Sequence, residues 1–357
     1  MKEAFFLQSI ADLLLSWYDR HARVLPWRGI HDPYATWVSE TMLQQTRVET
    51  VLSYYPRFLA AFPTVQALAD APLEDVLKHW EGLGYYRRAQ NLHKGARQVV
   101  DTWGGVVPAK PEELRKISGI GDYTAGAIAS IAYGLPVPAV DGNVIRVVCR
   151  LAGIRENVGI PSIKRRIAQE AARLVPPQRP GDFNQAMMDL GATVCTPGTP
   201  DCAACPLRER CDAFAAGDAE ELPDLPRKNP PRAIDYDLLL VFSDRRVLVR
   251  QRTEAMLQGL WIFPMLEGRH APSALPAAAK RRLGLHLGRA QELGEARHVF
   301  THQVWQMRLF ALDTAASAAP EGWRFVTARE LVALPLPTAV AKARQLAMER
   351  LTRQDPT

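Results

Sequence analysis

The sequence predicts an all-α domain followed by a smaller α/β module, and three observations carry that reading. Apolar residues recur at helical spacing throughout residues 1–217, where no stretch alternates convincingly enough to be a strand. The run AAGDAEELPDLPRKNPP, from Ala215 to Pro231, then turns acidic and proline-rich, the composition of an extended linker. Beyond it the apolar period falls to two, in Asp235–Phe242 and Arg246–Arg252, joined by the turn Ser243-Asp244-Arg245. A chain of 357 residues is long enough for two or three domains with ample cores.

Residues 1–25 read as one amphipathic helix with Phe6, Ile10, Leu13, Leu14 and Trp17 on one face. Gln8, Ser9 and Asp12 interrupt it too early for a signal peptide, and no apolar run reaches a membrane span. A cytoplasmic, nucleoid-associated location without a membrane partner is therefore expected. Leu25-Pro26-Trp27-Arg28 breaks the helix, and a second begins at Tyr34. Glu40 sits on it among Trp37, Val38, Met42 and Leu43, an awkward place for a charge. A buried carboxyl has its pKa raised, as a general acid near neutral pH requires. An exposed glutamate on the polar face of the helix is the alternative.

Helical patterns continue through Val51–Phe62, Val65–Ala69 and Leu73–His79. In Glu81-Gly-Leu-Gly-Tyr-Tyr-Arg-Arg88, glycines separate a helix end from an aromatic pair. A loop exposing Leu83 and Tyr85 beside arginines suits a wedge driven into a base stack. It equally suits a helix cap with two packed tyrosines. A further helix covers Asn91–Thr102.

The stretch Leu114–Asp141, LRKISGIGDYTAGAIASIAYGLPVPAVD, pairs two helices around Gly119 and Gly121. Two glycines flanking one apolar residue permit a tight turn and leave backbone N–H groups open, a ready site for an anion. Asp122 is placed for the N-cap of the second helix, and Asp141 is a lone carboxylate after an apolar approach. Gly-x-Gly between helices is also often only a turn. Helices at Asn143–Leu151, Ile163–Leu174 and Phe183–Thr193 complete the first part.

Four of the five cysteines crowd one loop: Cys195, Cys202, Cys205 and Cys211, with six, two and five residues between them. One C-x-x-C pair is short of the two that zinc sites usually show, and Cys205-Pro206 suits a cubane iron–sulfur cluster. Arg208 and Arg210 inside the loop point to a structural cluster that presents cations to phosphate, while Cys149 reads as a buried core thiol. The net charge of +6 makes no polycation, so any nucleic acid must be held by local clusters such as Arg87-Arg88 or Lys164-Arg165-Arg166. Each such cluster is, taken alone, more often a solvated face.

After the first two strands come Gly259–Pro264, a helix near Ala277–Leu283, and His298–Leu309 as one alternating strand. A terminal helix over about Ala328–Leu351 is interrupted near Pro335–Pro337.

Taken together, LRKISGIGDYTAGAI, AVDGNV, SETMLQQTRVETV, GLGYYRRAQNL and the cysteine spacing resemble the adenine DNA glycosylases of the MutY type. These belong to the helix-hairpin-helix superfamily that includes endonuclease III. The resemblance covers almost the whole chain. It implies a cluster-bearing helical domain of residues 1–27 and 136–217, holding one 4Fe-4S cluster on the four cysteines. It further implies a six-helix barrel of residues 28–135, a linker of 218–233 and a Nudix-like domain of 234–357. The partner it implies is duplex DNA with adenine opposite 8-oxoguanine or guanine, bound by a monomer.

Position by position, the resemblance implies that Glu40 protonates the flipped adenine and Asp141 stabilises the sugar cation. Tyr123 and Asn143 order the site, and Arg28 and Gln185 contact adenine. Gln45 and Tyr85 fill or wedge the stack, while Thr46 and Leu83 face the opposing base. Gly119 and Gly121 grip phosphate. Phe300-Thr301-His302 matches a lesion-reading Phe-Ser-His loop, with threonine for serine. The helix Ala277-Ala-Ala-Lys-Arg-Arg-Leu-Gly284 has no glutamates for Mg²⁺, so this domain is expected to read rather than hydrolyse.

Residue chemistry alone points the same way. Cleaving an N-glycosidic bond needs a proton for the base and negative charge near the sugar, which two carboxylates in different environments provide. A bifunctional lyase would need an amine where this chain has Tyr123. A lesion-binding protein without catalysis would be expected to lack Glu40 or Asp141, and a Nudix hydrolase to carry the missing glutamates.

Overall fold

The computed structural model describes residues 2–226 and 229–353. The remainder of the linker, 227–228, and the last four residues of the expected C-terminal domain, 354–357, lie outside them. The chain divides into two compact units. One comprises Met1–Asp70 and Asn91–Arg227; the other comprises Lys228–Thr357 together with Ala71–Gln90.

The first unit is all-α, as its spacing predicts. Helices α1 (Lys2–His21), α2 (Pro33–Leu43), α3 (Val48–Ala61) and α4 (Val65–Asp70) come first. An excursion, Ala71–Gln90, then carries α5 (Leu73–His79) and belongs to the second unit. α6 (Arg87–Trp103) brings the chain back. It leads to α7 (Pro111–Leu114), α8 (Asp122–Ile131), α9 (Gly142–Leu151), α10 (Pro161–Leu174), α11 (Pro180–Thr193) and α12 (Asp212–Ala216). A core of Ile10, Leu14, Trp17, Val147, Ile167, Phe183 and Met187 binds α1 to α9, α10 and α11. Leu13, expected on that face, is 40% exposed. It stands 100° from Leu14 around the helix, outside the buried stripe. The side chain of Phe6, expected on the same face, lies outside those described.

α2 shows how sequence sets local structure. Asp32 caps it, its Oδ1 accepting from the amides of Tyr34 (2.7 Å) and Ala35 (3.0 Å), and Pro33 starts the first turn. Every residue from Tyr34 to Met42 is buried. The helix has no polar face on which Glu40 could be solvated.

In α7–α8, Gly119 adopts φ +84°, and a Cβ there would lie 2.8 Å from Asn91 Cβ. Only glycine fits. The N-cap of α8 is Gly121 rather than Asp122, whose carboxylate is solvated 3.6 Å from Arg115. No side chain caps α8, so its first-turn amides stay open.

The second unit carries a seven-stranded sheet with path β3-β2-β1-β6-β5, β4 pairing with β1 and β7 with β2. Its strands are β1 (Arg232–Ser243), β2 (Arg246–Gln251), β3 (Trp261–Ile262), β4 (Met265–Glu267), β5 (Gln291–Val299), β6 (Gln303–Asp313) and β7 (Arg324–Val326). β1 and β6 run parallel over eleven paired positions from Arg232↔Gln303 to Phe242↔Asp313. α13 (Leu275–Leu283) packs on one face against Leu239, Val241 and Phe310. α14 (Ala328–Ala333) and α15 (Ala341–Arg353) cover the other, against Leu238, Leu240 and Trp305. The single strand expected over His298–Leu309 is a hairpin, β5 turning at Phe300-Thr301-His302 into β6. Alternation continues through the tip, so periodicity alone cannot see the turn.

Candidate active site and cysteine loop

A cleft of about 470 Å³ opens in the helical unit, lined by Arg28, Glu40, Gln45, Thr46, Tyr123, Asp141, Asn143 and Gln185. Eight of the predicted site residues, distant in sequence, thus meet at one cavity.

Glu40 is 5% exposed and accepts a short hydrogen bond from the Tyr123 hydroxyl. Burial pushes its carboxyl pKa up; the Tyr123 bond and the Arg28 charge oppose, and Asp141 adds to the rise. Tyr123 is itself raised, by burial and then by the Glu40 and Asp141 charges, so it stays a neutral donor.

Asp141 is the N-cap of α9. Its Oδ1 accepts from Val144 N (2.8 Å) and its Oδ2 from Asn143 Nδ2 (2.8 Å). Burial raises its pKa as well, while the amides of Val144 and Asn143 and the Arg146 charge pull the other way. The donors at a helix N-terminus favour the anion, whereas Glu40 accepts from a phenol. Asn143 is held in turn by Arg146, whose Nη2 donates to Asn143 Oδ1 (2.9 Å) and to Gly191 O (2.6 Å).

Arg28 donates to the Tyr18 hydroxyl and, through Nη2, to Asp189 Oδ1 at 2.9 Å. Asp189 is fully buried and also accepts from Arg23 Nε at 2.8 Å. Tyr18 donates weakly to Gln185 Oε1 at 3.4 Å. Sequence reasoning missed Tyr18, Asp189, Arg146 and Met188, which lines the cleft with its Sδ 3.7 Å from the Tyr123 hydroxyl. Asp189 left a signal: it follows Gln185 by four residues on a helix otherwise mostly apolar, so the two share a face.

The turn after α2 brings Gln45 and Thr46 to the cleft. Gln45 has φ +57°, a conformation non-glycine residues rarely hold, and is exposed. Gln44 Nε2 pins the turn to Thr124 Oγ1 in α8 at 3.1 Å.

Leu83, Tyr85, Phe300, Thr301 and His302 lie in the other unit. Of the loop residues expected to be exposed, Tyr85 is, at 46%, but Leu83 is buried at 5%. Thr301 and His302 are exposed at the hairpin tip, and Phe300 packs edge-on against His298 and Trp305. α13 has no carboxylate.

Cys195, Cys202, Cys205 and Cys211 line one cavity, form no disulfide and are all partly exposed, whereas Cys149 is buried. Arg150 reaches the rim: its Nη1 lies 3.3 Å from Cys195 Sγ and donates to Thr196 O at 2.9 Å. Among the described residues no three of the His, Cys, Asp or Glu side chains are close enough to hold a single ion.

Known proteins match both units. Residues 38–177 match the HhH-GPD superfamily of base excision DNA repair proteins, and residues 238–346 match the NUDIX domain. A thermostable thymine-DNA glycosylase superposes with TM-score 0.55 at 26% identity, over 60% of this chain and all of that one. A trapped endonuclease III–DNA covalent intermediate shares the fold at TM-score 0.50 and 24% identity, over 59% of this chain and 98% of the other. The helical unit is thus of the base-excision glycosylase class, an enzyme class that hydrolyses N-glycosyl bonds in DNA.

Within that class the relatives are specific. The adenine DNA glycosylase of Mus musculus is 39% identical over 92% of this chain and 76% of its own length. The Homo sapiens enzyme is 36% identical over 92% and 72%. The Schizosaccharomyces pombe enzyme is 32% identical over 83% and 80%. The chain belongs to the adenine DNA glycosylase family.

Proposed function

We propose that this protein removes adenine mispaired with 8-oxoguanine or guanine from duplex DNA, by base flipping and hydrolysis without strand cleavage. One observation carries the reading: Glu40, buried and bound to Tyr123, shares a cleft with Asp141, which backbone and amide donors surround. Burial raises the Glu40 pKa and so favours the protonated form, which delivers its proton to the departing base. Asp141 supplies negative charge to the sugar as the bond breaks. Arg28 and Gln185 line the pocket where the flipped base would sit, and Gln45 stands at its rim. The open amides of α8 offer a phosphate site. The Phe300–His302 tip supports contact with the opposing base. A monomer contains every one of these groups.

The cysteine loop supports one 4Fe-4S cluster on Cys195, Cys202, Cys205 and Cys211. Four thiols lining one cavity, with a single C-x-x-C pair and Cys205-Pro206 among them, are a donor set that suits a multi-iron cluster. Such a cluster, when bound, ties the loop into one rigid element. Purified protein is expected to be brown and to contain iron; Cys202→Ser should lower soluble yield and DNA affinity. One zinc and no iron by metal analysis would refute this.

Tyr123 bears on strand cleavage. A phenol cannot form an imine with the sugar, and this one is committed to Glu40. Single-turnover assays on adenine opposite 8-oxoguanine, guanine and thymine test the substrate. Borohydride added during turnover should trap little protein, leaving an abasic strand that breaks only in alkali. Efficient trapping would replace this reading with a glycosylase/lyase.

A further inference from the structure

We propose that Glu81, clamped by Lys78 and Arg344, is a positioning residue that fixes the Tyr85 loop on the C-terminal unit, so that stack intrusion and lesion reading are carried by one body. This rests on the adenine-excision reading above.

The segment Ala71–Gln90 interrupts the helical unit in sequence but belongs to the C-terminal unit. Its contacts there are specific. Glu81 Oε2 accepts from Lys78 Nζ at 2.6 Å and Oε1 from Arg344 Nη1 at 2.5 Å. The same two cations close the C-terminus of α14. Lys78 Nζ donates to Val332 O (2.6 Å) and Leu334 O (3.1 Å), and Arg344 Nη2 donates to Val332 O (3.0 Å). Cations belong at that end of a helix, where carbonyls are unpaired. Outside this clamp, Trp261 Nε1 donates to Glu74 Oε1 at 2.5 Å and Gln90 Nε2 to Gln258 O at 2.6 Å.

Glu81 immediately precedes the loop it would position. Gly82, Gly84 and Tyr85 all have positive φ (103°, 72° and 47°), and Tyr85 is not a glycine. Such a backbone persists only where its surroundings over-determine it. Trp80 Nε1 holds Gly84 O at 3.1 Å, Leu83 is buried as the anchor, and Arg88 lies over the Tyr85 ring at 5.3 Å. Tyr85 is left presented to solvent by a loop whose base is locked to α14 and α15. Phe300, Thr301 and His302 stand on the same unit.

The test places 2-aminopurine next to 8-oxoguanine in a duplex and reads its fluorescence on binding, in a Glu40→Gln background that prevents turnover. Arg344→Ala and Tyr85→Ala should each suppress the fluorescence rise, the double variant should lose no more than either, and Arg344→Lys should restore most of it. With Glu40 intact, Arg344→Ala should lower the preference for 8-oxoguanine over guanine by about tenfold, within the ~10²-fold that misplaced positioning groups cost. Glu81→Gln, which keeps size and removes charge, carries the same test should Arg344→Ala fail to fold. Wild-type fluorescence and preference in these variants, or additive effects with Tyr85→Ala, would overturn the inference while leaving adenine excision standing. Absence of adenine excision by the unmodified protein would overturn the functional reading instead.

Discussion

At the scale of single residues, Glu40 and Tyr123 govern the chemistry. Glu40→Gln keeps the side-chain shape and an oxygen for Tyr123 but removes the proton. Single-turnover excision should fall ~10²–10⁴-fold with duplex affinity unchanged, and a near-normal rate would show that another group is the acid. Burial raises the Glu40 pKa above 4.5, so excision should fall as pH rises through the raised value, while loss of activity at low pH would report protonation of Asp141. Stability follows the same sign. The unfolded chain releases this proton first, so stability falls as pH rises from the ordinary to the raised pKa and stays lowered above it, and Glu40→Gln should flatten that slope in denaturant titrations. Tyr123→Phe removes a hydrogen bond that favours ionised Glu40. The falling limb of the pH–rate profile should therefore move to higher pH; a shift downward would contradict the assigned donor.

At the scale of elements, the hairpin glycines separate folding from binding. Gly119→Ala forces an alanine to φ +84° and drives its Cβ into Asn91. The left-handed backbone alone costs roughly 1–2 kcal/mol, so thermal stability should drop measurably. Gly121 has an extended backbone with φ −96°, and a methyl added there would meet nothing within 4 Å. Gly121→Ala should thus melt close to wild type yet bind duplex DNA more weakly, because the methyl stands beside the open amides of α8. Equal loss of stability in both variants, by calorimetry, would remove the case for an anion site there.

At the scale of the whole molecule, the Ala71–Gln90 segment is held by the C-terminal unit through Glu74, Lys78 and Glu81. A chain ending before Ala233 loses all three sets of contacts along with Phe300–His302. Amide exchange in Ala71–Gln90 should accelerate in that truncation. Its discrimination between 8-oxoguanine and guanine opposite adenine should fall further than in a Phe300→Ala, Thr301→Ala, His302→Ala triple variant, which keeps the clamp. Identical discrimination in the two proteins would confine lesion reading to the hairpin tip.

The sequence by itself determined the helical and α/β halves, the helix hairpin, the cysteine loop and the two carboxylates. Each is written in local signals: apolar period, glycine and proline placement, cysteine spacing, a carboxylate in an apolar run. Residues 73–79 are helical as the spacing predicts, and eight of the predicted site residues, Arg28, Glu40, Gln45, Thr46, Tyr123, Asp141, Asn143 and Gln185, meet at one cleft. Only the tertiary structure decided what surrounds them. Whether Glu40 was buried depended on elements covering both sides of α2, which no period in its own eleven residues encodes. Asp189 supports Arg28 across 161 positions of sequence, and Leu83 is buried rather than exposed. The allegiance of Ala71–Gln90 is likewise fixed by Val332, Leu334 and Arg344, more than 250 residues downstream. Local propensity acts between neighbours along the chain, whereas burial and ion pairing are settled by groups that meet only when the chain has folded.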